Sequence, residues 1–226
     1  MQSLLSWANA EALDVFFIQE HNLGVGKHKK WRDLCRRFGF CVIHGIHALK
    51  EDRVVRARRG ATALLLRMST FDLTENDSEI QESFEGRITS RKVIWKDMIL
   101  PLVSMYVPVH PADRKKFLNK IKNSNRSIPQ GAIVGGDFNC VENITFDTLK
   151  EDEGTYQNHH GGLVTTMMRR KQLSDVFRKI YGNTARAYTR ESATVRTRLD
   201  RIYAQDQNSQ IVWHSHQAEG KHWKRA

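Results

Sequence analysis

A layered α/β sandwich is the fold class predicted by this 226-residue sequence. Short apolar runs of strand length interleave with segments of helical period on a plan that does not alternate strictly, which favours stacked sheets with helices outside them over a strictly alternating doubly wound sheet. The length suits one α/β domain with a large core and is too short for two ordinary catalytic domains; no fixed-period repeat or low-complexity linker divides it. Several of the apolar runs also stop in, or are interrupted by, polar groups able to do chemistry.

Taken in order, residues 3–13 place Leu4, Leu5, Ala8 and Ala12 near helical spacing with Glu11 on the polar side, which predicts a short amphipathic helix. The run Val15-Phe16-Phe17-Ile18-Gln19 is apolar on both faces, as in a buried strand, and ends in the carboxylate of Glu20. A second helix is expected over 31–38, closed by Gly39, then a strand over 40–44. A basic loop carrying Arg53, Arg56, Arg58 and Arg59 leads into a strand over 60–67, and the acidic, aperiodic stretch 70–83 predicts a surface loop. Residues 91–98 and 100–107 predict antiparallel strands around Lys96-Asp97, with Pro108 ending the ladder and Tyr106 near its tip. Helix returns over 112–122, and a polar connector leads to Ile133-Val134-Gly135-Gly136-Asp137-Phe138-Asn139-Cys140. Polar loop is expected over 143–160 and helix over 163–171. Tyr188 is expected in the core, and Thr197 to Tyr203 predicts a last strand with Asp200 in its middle.

The Gly-Gly-Asp-Phe-Asn junction carries the most information. Side chains two apart on a strand share a face, so Asp137 and Asn139 are expected to point together while Phe138 turns into the core. A carboxylate can orient a water or hold a hard cation, and a neutral carboxamide can donate to a phosphate oxygen without adding charge. Alone, the motif fits a strand-to-turn junction equally well.

In order along the chain, Gln19-Glu20, Tyr106-Val107-Pro108, Gly136-Asp137-Phe138-Asn139 and Thr197-Arg198-Leu199-Asp200-Arg201-Ile202-Tyr203 resemble the endonuclease/exonuclease/phosphatase superfamily, and within it the apurinic-type endonuclease domain of LINE-type (non-LTR) retrotransposons. Arg59-Gly60-Ala61 and the residues after it resemble that family's Gly-opened strand, and Leu173 to Arg178 its L-x-D-x-[WF]-R stretch. The resemblance runs over residues 4–212 and implies a DNase I-like sandwich of two facing mixed sheets covered by helices, one domain over 1–226. The implied reaction is Mg²⁺-dependent phosphodiester hydrolysis, with Mn²⁺ as a substitute, that nicks DNA. Glu20 would be the main metal ligand, and Asp137 would orient or deprotonate the attacking water. Asn139 and the Tyr106 hydroxyl would hydrogen-bond the scissile phosphate. Asp200 would be a second acid near the metal or on a loop facing nucleic acid. Arg198 and Arg201 would bind backbone phosphate, and Arg58 and Arg59 would edge the groove.

Two family pieces have no counterpart: an opening strand with an N-x-x-G signature and a closing S-D-H motif, near whose place only His214, His216 and His222 lie. The expectation is therefore a domain incomplete at both ends, with little or no nicking as given. In a full element it would be fused to a reverse transcriptase and act in the nucleus. The readings that compete with this one are an inositol-phosphate or other phosphoester phosphatase of the same superfamily, and a non-catalytic nucleic-acid-binding remnant.

Composition narrows the partners. Lys and Arg number 36 against 25 Asp and Glu, a net charge of +11, which favours polyanions over neutral or cationic partners without supplying base specificity. The three cysteines match no zinc spacing and leave one unpaired in any disulfide scheme, so a reducing compartment is expected. No apolar run approaches the roughly 20 residues that span a bilayer, and neither secretion nor membrane insertion is expected. Binding to duplex DNA, followed by fluorescence anisotropy, should weaken steeply between about 50 and 200 mM salt and differ little between sequences; affinity constant over that range would contradict the electrostatic reading.

Overall fold

The computed structural model describes residues 2–21, 23, 25–44, 61–72, 81–83, 86–122, 127–150 and 160–205. The first part of the chain forms α1 (Gln2–Ala10), β1 (Val15–Gln19), α2 (Val25–Arg37), β2 (Phe40–His44) and β3 (Thr62–Arg67). Next come β4 (Gln81–Ser83), β5 (Ile88–Trp95), β6 (Met98–Tyr106), α3 (Pro111–Lys122) and β7 (Ile133–Asp137). The last part holds α4 (Ile144–Asp147), β8 (Thr148–Lys150), α5 (Gly161–Arg170), β9 (Ser174–Asp175), α6 (Val176–Tyr181), β10 (Arg190–Glu191), β11 (Val195–Thr197) and β12 (Asp200–Ala204).

Alternation along β3 decides the layering. Ala63 and Leu65 pack outward against Leu5 and Ala8 of α1 and Trp31 and Cys35 of α2, while Leu64 and Leu66 pack inward with Ile43 against Val93, Leu102 and Ile133. On the far side, Val103, Met105 and Val134 meet Phe117, Leu118 and Ile121 of α3 and Val164, Met167 and Met168 of α5. The result is a four-layer α/β/β/α sandwich. The smaller sheet has the order β1-β3-β2 and is antiparallel; the larger has the order β4-β5-β6-β7-β12-β9, with β6 and β7 its parallel pair. A third sheet, β10-β11-β8, lies beside the end of β12.

Most expected elements are present, and the exceptions have local causes. Residues 81–83, expected as loop, add the edge strand β4 to β5. Asn143, in the expected loop over 143–160, caps α4 by accepting from the N–H of Thr145 and Phe146, and β8 follows at once. The expected last strand divides at Arg198 and Leu199, with β11 in the small third sheet and β12 in the large one. Tyr188, expected in the core, is half-buried. All three cysteines are free, and among the described residues no helix is long and apolar enough to cross a membrane.

The paired glycines of β7 are explained by what lies over them. A Cβ on Gly136 would stand 1.8 Å from the Met105 carbonyl oxygen, and one on Gly135 would stand 2.3 Å from the Phe17 ring. The first obstacle is backbone and cannot swing aside. Gly136→Ala is therefore expected to cost about 3 kcal/mol or more, read as a lowered midpoint in urea unfolding; a midpoint at the wild-type value would contradict the packing described.

Candidate active site

Strand register assembles the site at one end of the larger sheet. Tyr106, the last residue of β6, stands opposite Asp137, the last of β7, and Asp137 stands opposite Asp200, the first of β12. Residues paired across neighbouring strands present their side chains to the same face, so one aromatic and two acids form a row. The fourth member comes from the other sheet. Glu20 follows β1 with a positive φ of 51°, and its Oε1 accepts a 2.7 Å hydrogen bond from the Tyr106 hydroxyl. A left-handed backbone at a residue other than glycine, asparagine or aspartate is uncommon and tends to persist where surrounding structure imposes it. Here that structure includes Gln19, whose Nε2 donates to Ser104 Oγ at 3.2 Å.

Asn139 reaches the row differently from the way simple alternation suggests. β7 ends at Asp137, and Asn139 is left-handed, with φ 49°. Its backbone N–H donates to Asp137 Oδ1 at 2.8 Å, and its Nδ2 donates to the Val107 carbonyl, also at 2.8 Å. One amide N–H is thereby used in holding the side chain. The Tyr106 hydroxyl likewise gives its proton to Glu20, so in this structure it orients the carboxylate.

Burial pushes the Asp137 carboxyl up to about 7, Asp200 and Glu20 add like-charge repulsion, and the Asn139 N–H and the field of Arg190 pull the other way. Burial also raises Asp200, against a Thr189 hydrogen bond and the Arg201 charge, although the residue keeps solvent contact, so its rise weighs less than that of Asp137. Tyr106 is raised by burial and by its bond to Glu20. Arg190, exposed at the start of β10, is a site neighbour that sequence reasoning missed; no motif marks it, and only the third sheet carries it to Asp137.

Two expected phosphate-binding residues are corrected. Arg198 and Arg201 are 2 % and 4 % exposed, out of reach of a strand of nucleic acid. Arg198 Nε donates to Asp147 Oδ1 at 2.8 Å and its terminal nitrogen to Asp175 Oδ2 at 2.5 Å; Arg178 also pairs with Asp147. Burial pushes Asp147 up, but the Arg198 bond and charge outweigh it and hold the carboxyl below its ordinary value. Arg201 donates to the Cys140 and Arg198 carbonyls and lies over the Phe138 ring. Alternation along β12 sets Arg201 on the face opposite Asp200, toward the core. Arg58 and Arg59 lie outside the described residues.

The model of the endonuclease/exonuclease/phosphatase family matches residues 1–219. The chain belongs to this family. Its members are metal-dependent nucleases and phosphatases that hydrolyse phosphate esters. Among solved structures, the endonuclease domain of TRAS1, a telomere-specific non-LTR retrotransposon, is similar at TM-score 0.57 and 15% identity, covering 91% of this chain and 80% of that one. The AP endonuclease LMAP from Leishmania major matches at TM-score 0.62 and 18% identity, over 91% of this chain and 73% of that one. The Xenopus laevis APE2 catalytic domain matches at 0.57 and 16%, over 90% and 77%. At such identities the likeness is one of fold, and it bears out the DNase I-like sandwich. No curated protein matches the chain.

The donor set fits a hard divalent cation. Glu20 is exposed, and Asp137 feels both other carboxylates, a crowding of negative charge that a bound cation would relieve. Among the described residues no group of three or more His, Cys, Asp or Glu side chains closes around a single point.

The raised Asp137 carboxyl has a stability signature. In divalent-free buffer the folded state holds this proton up to about 7, while the unfolded chain releases it near 3.8. Between those values the native state binds more protons, so the contribution is fully present below the lower value and is lost as pH rises toward the upper one. Melting temperatures followed from roughly pH 4 to pH 8 should therefore fall more for the wild type than for Asp137→Asn; parallel curves would show that Asp137 is not held protonated.

Proposed function

We propose that this chain is the endonuclease domain of a LINE-type retrotransposon, one domain over 1–226 that hydrolyses phosphodiester bonds in DNA with Mg²⁺. The observation that carries this reading is the row Tyr106, Asp137 and Asp200, joined to Glu20 of the facing sheet through the Tyr106 hydroxyl. The net charge of +11 favours a polyanionic strand over a small phosphoester. The similarity in fold to the TRAS1 endonuclease domain agrees with it. In its element the domain would be joined to a reverse transcriptase and act in the nucleus.

Asp137 holds a water against the scissile phosphorus and takes its proton as the water oxygen attacks. The bond from phosphorus to the leaving sugar oxygen breaks in the same displacement. A base that titrates near neutral pH suits this task, because it is ionised in a useful fraction and still accepts a proton well. Asp200 keeps Asp137 basic through its charge. The second N–H of Asn139 Nδ2, which bears on the Tyr106 oxygen in this structure, is given to a phosphate oxygen on binding, while the bond to Val107 fixes its direction. A divalent cation at Glu20 would offset the charge on the phosphate and the leaving oxygen. Tyr106 holds the Glu20 carboxylate in place for that ion.

Nicking of supercoiled plasmid tests the reading. Whatever Mg²⁺-dependent rate the chain shows should vanish in Asp137→Ala and fall by on the order of 10²-fold or more in Glu20→Gln. Nicking that survives Asp137→Ala would overturn the reading, as would absence of nicking together with no rise in melting temperature on adding Mg²⁺.

A further inference from the structure

The larger sheet carries one more charged group at its active end. Arg87 immediately precedes β5, and its carbonyl accepts the backbone N–H of Tyr106 at 2.9 Å. Across the strands β5, β6, β7 and β12 the row therefore reads Arg87, Tyr106, Asp137, Asp200. The Arg87 guanidinium lies over the Tyr106 ring, 5.3 Å from its centroid. The residue is half-buried, and among the described residues its buried NH1 nitrogen has no acceptor. Among the described residues the guanidinium has no ion pair with Glu20 or Asp137, although both act on the Tyr106 beneath it.

Among the described residues, other arginines withdrawn from water have acceptors, although Arg201 leaves its Nε without one: Arg67 bonds to the Ala8 and Leu13 carbonyls, Arg178 and Arg198 to Asp147, Arg201 to Cys140. A guanidinium left partly desolvated without an acceptor is costly, and stacking on a ring offsets only part of that cost. The stacking does hold the planar fork in a fixed place, ready for the oxygens of a phosphate.

We propose that Arg87 binds a phosphate of the substrate strand next to the scissile one, so that the site prefers a polynucleotide to an isolated phosphoester. This rests on the hydrolytic reading above for the position of the scissile phosphate. Two strand spacings, about 10 Å, separate Arg87 from Asp137 along the sheet. With its guanidinium held over Tyr106, Arg87 serves the neighbouring phosphate while Asp137 and Asn139 face the reacting one. The basic balance of the chain attracts nucleic acid in general, whereas Arg87 fixes the register of the bound strand in the site.

The test has a binding arm and a kinetic arm. In EDTA, anisotropy of a labelled duplex oligonucleotide at several salt concentrations should show Arg87→Ala weaker by about tenfold at low salt, with a slope of log affinity against log salt smaller by about one phosphate contact. Arg87→Lys should keep the slope and lose part of the affinity. In Mg²⁺, Arg87→Ala should raise KM for plasmid nicking about tenfold more than it slows hydrolysis of bis(4-nitrophenyl) phosphate, which has no neighbouring phosphate. Equal losses on both substrates would mean that Arg87 acts only through Tyr106, and an unchanged salt slope would also overturn the proposal. Should Arg87→Ala melt early, Arg87→Gln repeats the slope measurement with the side-chain length largely kept and the charge removed. A wild type that binds DNA but shows neither nicking nor a rise in melting temperature on adding Mg²⁺ would end the hydrolytic reading while leaving the slope to decide on Arg87.

Discussion

The seating of Phe17 on Gly135 is the contact on which the rest of the site depends. The smaller sheet approaches β7 so closely there that the strand has no space for a side chain, and the next residue, Gly136, gives up its own to the β6 backbone. Three residues beyond Phe17 the chain reaches Glu20, and one beyond Gly136 it reaches Asp137. The sheet-to-sheet distance at the glycines therefore sets how far the carboxylate of one sheet lies from the acids of the other. Packing density and the geometry of the chemistry are here the same quantity.

Around that contact the protein gathers like charges and holds them. Glu20, Asp137 and Asp200 would each lie lower in energy apart. They stay together because strand register gives two of them no other place, and because Tyr106 and Asn139 spend hydrogen bonds on fixing carboxylates. The site is thereby left with an unmet demand for positive charge, which is the condition for drawing in a cation and a phosphate together.

The fold was largely legible in the sequence. Helical and strand periods placed most elements within a few residues, and the polar ends of the apolar runs singled out Glu20, Tyr106, Asp137 and Asn139, which lie together in space. What stayed hidden is instructive. Arg198 and Arg201 flank an acid in a motif shared with nucleic-acid enzymes, and charge alone suggested phosphate; the carboxylates that bury Arg198, Asp147 and Asp175, lie far off in sequence, in a segment expected as loop and ahead of a short helix. A charge reads as solvated until its partner is known. Arg190 was missed for the converse reason: its charge reaches Asp137 from a strand of another sheet, a proximity that no local pattern announces.

The network of Arg178, Asp147, Arg198 and Asp175 ties together α4, α6 and the entry to β12. Each carboxylate answers to an arginine from another segment, and withdrawing one partner would leave its neighbour's charge stranded in the interior. Such a cluster opens as a whole or not at all, which makes the three segments one cooperative unit in fluctuations short of global unfolding. Asp200, two residues past Arg198, is anchored by that unit at the place where β12 begins.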